Sequence, residues 1–95
     1  MSTKLKISPF ALKVYRAVLK IPFGEVRTYK WVARKIGHPH AFRAVGQVLK
    51  SNPLPLIIPC HRVICSRRKL GGYIWGKRIK KLILDYERKI VKLMV

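Results

Sequence analysis

Twenty-two Lys and Arg residues share this 95-residue chain with three carboxylates, for a net charge of +19. Such an excess opposes any compact state by self-repulsion, and it makes a polyanion the leading expectation for a partner. Against it stands an ordinary hydrophobic share, 49% of residues, spread through the whole chain, which excludes intrinsic disorder. One domain is expected over 1–95, with its core over about 8–92 and much wet surface. No stretch approaches the roughly 18 uninterrupted apolar residues of a membrane span. The opening MSTKLKISPF lacks the apolar core of a signal peptide. No membrane is therefore expected as a partner, and a cytoplasmic location is, nucleoid-associated or nuclear in a eukaryote. In that setting Cys60 and Cys65 are expected to be reduced thiols.

Helical signals dominate the chain. Ser8-Pro9 is an N-cap followed by proline at the first helical position. Phe10, Val14, Ala17, Val18 and Ile21 then recur at helical spacing until Pro22, Phe23 and Gly24 stop the run. Residues 23–27 read as a turn with a short extended piece. Thr28 caps a second helix over 29–36 that faces Val32 and Ile36 inward and stops at Gly37. Pro39 starts a third that runs to about Lys50, so the pair reads as a helix-turn-helix. On that third helix Ala41, Ala44, Val45, Val48 and Leu49 form the stripe expected to be buried, opposite His40, Arg43, Gln47 and Lys50. Gly46, on the polar side, costs about 1 kcal/mol relative to Ala. It suits close approach of a backbone or nucleic acid, or else a helix–helix contact. LPLIIPCHRVI then reads as a buried extended connection that delivers Cys60, and 65–76 as a basic, Gly-containing loop. A last helix over about 77–92 is expected to bury Ile79, Leu82, Ile83, Tyr86, Ile90 and Leu93.

The chemistry concentrates at Pro59-Cys60-His61-Arg62. A Cys beside a His is a nucleophile beside a base, or a small buried hydrophobe beside a packed ring. In a regular strand the two would face opposite ways, so they cooperate only if the chain turns here. Pro59 supplies a break, and Cys60 at the N-terminus of a helical turn would be favoured as thiolate. Glu87 is the most informative acid: its i±3 and i±4 neighbours are Ile83, Leu84, Ile90 and Val91. A carboxylate among aliphatics needs a tertiary partner, either an Arg from another segment or an imidazole that it holds. Asp85, with Lys81, Arg88 and Lys89 within a turn, is a solvated ion-pair member. Zinc is a competing use of His38, His40, Cys60, His61 and Cys65, but none of their spacings is a paired C-x2-C or H-x3-H.

PCHRV, preceded by RAVGQVLKSNPLPLIIP, resembles the methylated-DNA–protein-cysteine methyltransferase family (O6-alkylguanine-DNA alkyltransferases). The likeness runs over about residues 8–90 and includes GEVRTY, RAVG and GGYIWG. It implies a mostly α, compact, winged-helix-like catalytic domain with a helix-turn-helix, lacking the family's amino-terminal α/β domain. It implies single-turnover DNA repair, in which the alkyl group of O6-alkylguanine moves irreversibly to Cys60. His61 would act on that thiol through a water, Glu87 would orient His61, and Asn52 would brace the segment. Arg43 would enter the base stack in place of a flipped nucleotide, and Tyr29 would crowd the target phosphate and meet the base. Thr28, Lys30, Gly46 and Ser66 would complete the DNA contacts, Ser66 on a phosphate. Tyr29, Val63, Tyr73, Ile74 and Trp75 would line the alkyl pocket.

The chemistry agrees with the residues: displacement at an sp3 carbon needs a soft thiolate with a lowered pKa, and the target atom inside a duplex must be flipped out. The family reads the narrow minor groove, which Ala41, Ala44 and Gly46 suit. The sequence departs from the family pattern in having His38 and Lys30 at usually neutral polar positions. It also has Ile74 and Trp75 where small residues are common, which implies a tight pocket. The expected partner is double-stranded DNA containing O6-alkylguanine, bound by a monomer without cofactor or metal. Two rivals stand: an alkyltransferase-like protein that flags lesions without removing them, a class that typically lacks the cysteine, and a basic helix-turn-helix DNA-binding protein in which Cys60 is structural.

Overall fold

A computed structural model describes residues 7–66 and 69–94. Arg67 and Arg68 of the basic loop lie outside the described residues. The element order is α1 (Pro9–Leu19), β1 (Arg27–Thr28), α2 (Tyr29–Lys35), α3 (Phe42–Lys50), a 3-10 turn (Cys60–Arg62), β2 (Val63–Ile64) and α4 (Lys77–Met94). The domain is mostly helical, with one small parallel sheet that pairs Arg27 with Val63 and Thr28 with Ile64. That pairing is non-local, and neither two-residue strand carries a periodic signal of its own.

The helix starts follow local chemistry. Ser8 Oγ accepts the Ala11 N–H at 3.1 Å, and Thr28 Oγ1 accepts the Trp31 N–H at 3.0 Å. Helices α1, α2 and α3 pack on one another around Val14, Val18, Val32, Ala33 and Val45, all fully buried. Each such valine contributes roughly 1.5–3 kcal/mol relative to an exposed one. The expected inward face of α1 is observed: Val14, Ala17, Val18 and Ile21 are buried and Phe10 half-buried.

Three expectations are corrected. The third helix begins at Phe42, not Pro39, because His38-Pro39-His40-Ala41 forms a turn in which the Ala41 N–H donates to the His38 carbonyl at 2.9 Å. Proline at the second turn position fixes that geometry, so His40 leaves the polar stripe and Ala44 faces solvent. The segment before Cys60 is a compact turn rather than a buried extended connection. The Ile58 N–H donates to the Leu54 carbonyl at 2.9 Å, Leu56 has φ 75°, and Leu54, Leu56 and Ile57 are exposed. Finally, α4 is rotated from the expected register. Ile79, Leu82, Tyr86, Ile90 and Leu93 are exposed and Ile83 is half-buried, while Lys80, Leu84 and Glu87 form the buried stripe. The polar groups at Lys80 and Glu87 have partners inside the fold that outweigh burial of the alternative apolar stripe, and that stripe's hydrophobicity hid them. No described helix is long and apolar enough to cross a membrane.

Candidate active site

The site is built where the chain leaves the turn after α3. Asn52, only 2% exposed, donates from Nδ2 to the Ile58 carbonyl and accepts the Leu54 N–H on Oδ1, both at 2.9 Å. One side chain thus clamps both ends of the turn. At Pro59 (φ −78°, ψ 63°) the backbone bends, the Cys60 N–H donates to the Ile58 carbonyl at 2.7 Å, and Cys60 opens the 3-10 turn. The condition for cooperation is met: Cys60 and His61 are successive residues of a turn, not of a strand. Both are buried.

Burial pushes the Cys60 thiol above its ordinary pKa. The Asn52 side chain, the charge of Lys80 and the backbone N–H groups of Cys60 and His61 pull it down without outweighing burial. The expectation of a lowered pKa from the turn alone is therefore corrected: burial favours the neutral thiol.

His61, the next residue, is oriented by Glu87. Its Oε2 lies 2.7 Å from His61 Nε2, while Arg62 donates from Nε to Oε1 and from Nη2 to Oε2, each at 3.0 Å. The Gly24 N–H reaches Oε1 at 3.3 Å. Glycine is required at position 24, since φ is 84° and a Cβ would sit 2.5 Å from Val91 Cγ2. The sequence offered an Arg or an imidazole as the partner of Glu87; both are present. Burial alone would push the Glu87 carboxyl up, but Arg62, His61 and the Gly24 N–H outweigh it and hold it below the ordinary carboxylate value. Burial lowers the proton affinity of His61, with Arg62 and Lys80 adding to the effect and Glu87 opposing it. Burial thus favours the neutral ring, and a neutral ring facing a carboxylate carries its proton on Nε2. Its Nδ1 is buried and without a hydrogen-bond partner in the protein, as is the hydroxyl of Tyr73.

Beside Cys60 lies a cavity of about 10 Å³ lined by Tyr29, Gly46, Leu49, Lys50, Gly72 and Tyr73. Tyr29 and Tyr73 are thus brought to the thiol. Val63, Ile74 and Trp75 are not in this wall: Val63 is fully buried in β2, and the other two are about half exposed. Trp75 instead meets Tyr73 edge-on at 5.8 Å, and Tyr73 meets His61 at 6.4 Å. A Cβ at Gly46 would be 3.9 Å from the Tyr29 ring, an ordinary contact, so the protein's own packing does not demand glycine there. Arg43 and Lys30 are exposed on α3 and α2, Lys30 lying 5.5 Å over the Phe42 ring. Ser66 is exposed in a short antiparallel bridge with Lys69, and Thr28 is spent on the α2 cap. Among the described residues no three His, Cys, Asp or Glu side chains form a group that could hold a metal ion.

Residues 9–89 match the family described as 6-O-methylguanine DNA methyltransferase, DNA binding domain. The chain belongs to this family. It is 45% identical over 89 residues to a probable methylated-DNA–protein-cysteine methyltransferase of Acanthamoeba polyphaga mimivirus, covering 94% of this chain and 59% of that protein. Its fold superposes with a TM-score of 0.85 on the OGT of Mycobacterium tuberculosis solved in complex with DNA. Identity there is 43%, over 88% of this chain and 51% of that one. It also superposes, at a TM-score of 0.76 and 38% identity, on Schizosaccharomyces pombe Atl1 in complex with damaged DNA containing O6-carboxymethylguanine, covering 87% of this chain and 79% of that one. The chain thus spans little more than half the length of the methyltransferases it matches. Every site residue named above falls inside the span matched to the family.

Two residues of the site were not singled out from the sequence. Arg62 was visible only as the last letter of PCHR, although a buried acid with no cation on its own helix asks for one such partner. Lys80 lies four and seven residues before Leu84 and Glu87, on the stripe that the buried acid defines.

Proposed function

We propose that this chain repairs DNA by moving the alkyl group of O6-alkylguanine, in duplex DNA, irreversibly to Cys60. The observation that carries this reading is the state of His61. Nε2 faces the Glu87 carboxylate at 2.7 Å, so a neutral ring keeps the lone pair of its buried Nδ1 unengaged, one residue from a thiol whose neutral form burial favours. Nδ1 takes the thiol proton through a water, and Glu87 stabilises the imidazolium that forms. The thiolate attacks the alkyl carbon, the S–C bond forming as the C–O6 bond breaks. The electron pair returns to guanine, which takes back the proton from His61. The thioether is not cleaved again, so one chain repairs one lesion. No cofactor enters this balance.

The remaining surface fits a duplex partner. In this reading α2 and α3 are a helix-turn-helix that lies on DNA, with Thr28, Tyr29, Lys30, Arg43, Gly46 and Ser66 toward the backbone and minor groove. The +19 charge supplies affinity through displaced counterions. Arg43 fills the gap left by the flipped base. A cavity of about 10 Å³ is no larger than a water site, so the wall formed by Gly72 and Tyr73 must move for a base to enter.

A second reading, lesion binding without transfer, is raised by the likeness to Atl1, which was solved with damaged DNA containing O6-carboxymethylguanine, at 38% identity and a TM-score of 0.76. Digestion of an O6-methylguanine duplex to nucleosides after incubation separates the two. Repair converts the modified base to guanine in proportion to added protein. A pure binder leaves the modified base unchanged while shifting the duplex in a gel.

A further inference from the structure

Lys80 is the only fully buried ammonium among the described residues, at 0% exposure. A buried cation is expensive unless an anion or strong acceptors meet it. None of the three carboxylates does: Glu25 pairs with Arg27, Asp85 with Lys81, and Glu87 with His61 and Arg62. Its donors go instead to the Leu70 carbonyl and, at 3.2 Å, to the Gly72 carbonyl, and its Nζ stands 5.9 Å over the Tyr29 ring. Gly72 and Tyr29 are two walls of the cavity on Cys60. Between them, Gly71 has φ 76° and passes so close to the Tyr29 hydroxyl that a Cβ would lie 2.9 Å from it. The loop is thus threaded where only glycine fits, and Lys80 holds it on both sides.

We infer that Lys80 is a positioning residue of the transfer, its buried ammonium serving as the charge partner of the Cys60 thiolate while pinning the cavity wall at Leu70 and Gly72. This rests on the reading of Cys60 as acceptor and adds to it a source of anion stabilisation besides the His61–Glu87 pair. The ionisable groups around Lys80 come from every neighbouring element. Cys60 and His61 belong to the 3-10 turn, Cys65 to the segment after β2, Tyr29 to α2, and Lys77 to the preceding turn of α4. Burial lowers Lys80 from its ordinary value to about 8; Cys60 and Cys65 as anions oppose that fall, and Lys77 adds to it. Of these groups Cys60 is the one that the proposed reaction turns into an anion. Tyr29, pushed up to about 12 by burial and by the two thiols, stays neutral. A thiolate at Cys60 and an ammonium at Lys80 each favour the charged form of the other.

The test needs no DNA. In a Cys65→Ser background the thiolate ultraviolet absorbance of Cys60 is followed against pH, with Cys60→Ser/Cys65→Ser subtracted. Lys80→Met should raise the Cys60 midpoint by about 1–2 pH units, and Lys80→Arg should restore most of that shift. An unmoved midpoint in folded Lys80→Met overturns the inference. Should the Met variant not fold, the reciprocal measurement decides: the side-chain NMR titration of Lys80 in Cys65→Ser with and without Cys60→Ser. Its pKa should fall when the thiol is lost, and an unchanged value overturns the pairing. Methyl uptake is scored separately, so a chain that pairs Lys80 with Cys60 but takes up no methyl contradicts the proposed function alone.

Discussion

The carboxylate of Glu87 lies 2.7 Å from His61 Nε2, and Arg62 closes on the same carboxylate at 3.0 Å. A single acid, contributed by the buried stripe of α4, therefore fixes both the orientation of the His61 ring and the path of the chain just after it.

Glu87→Gln should change both stability and transfer rate. Loss of the ion pair with Arg62, which is only 13% exposed, should lower stability by about 3 kcal/mol, read from a denaturant melt. Loss of the negative charge makes His61 a weaker base, so transfer should slow about ten- to hundredfold near neutral pH, with the limb of the pH–rate profile that reports His61 displaced to lower pH. Arg62→Gln should destabilise as well, but removing a cation raises the proton affinity of His61 and should move the profile the other way. Profiles of both variants that do not move would reduce the cluster to a structural one. The wild-type pH dependence of stability has a definite sign. Because the folded Glu87 pKa lies below its ordinary 4.5, its contribution is complete above that pH and is lost as pH falls through the lower folded value.

Arg43, exposed on α3, should matter for the duplex and not for the thiol chemistry. Arg43→Ala should lose roughly ten- to hundredfold in repair of duplex lesions, the equivalent of a few kcal/mol of unstacking. Reaction with a free O6-alkylguanine base should be nearly unchanged. Equal losses on both substrates would remove Arg43 from the flipping step.

Trp75 meets Tyr73, one wall of the cavity, edge-on at 5.8 Å. Such a contact is worth about 1 kcal/mol. Trp75→Ala should let Tyr73 move and speed reaction with benzylated guanine about fivefold over methylated guanine. An unchanged ratio of the two rates would show that the contact does not shape the pocket.

Much of this was legible in the sequence because it is local. The Ser8 and Thr28 caps, the inward face of α1 and the need of Glu87 for a tertiary partner each follow from a few neighbouring residues. What was hidden is non-local or rests on competition between burial terms. The Arg27–Thr28 to Val63–Ile64 pairing joins segments far apart in the chain. The register of α4 is set by Lys80 and Glu87, whose partners come from residues 24, 61, 62, 70 and 72. An apolar stripe on the same helix outweighed them in any periodicity reading. The later start of α3 turned on whether Pro39 opens a helix or occupies the second place of a turn, which local sequence allows equally. Ile74 and Trp75 adjoin Tyr73 in sequence, but the positive φ at Gly71 and Gly76 takes the loop past the cavity rather than along it.

The most direct measurement is the intact mass of the folded chain after incubation with an O6-methylguanine duplex, followed by peptide mapping. The account predicts a gain of one methyl group per chain, located on Cys60, complete at one lesion per protein and absent in Cys60→Ser, with Cys65→Ser behaving as wild type. A chain that binds the lesion but gains no mass, or that carries the methyl group on Cys65, would contradict it.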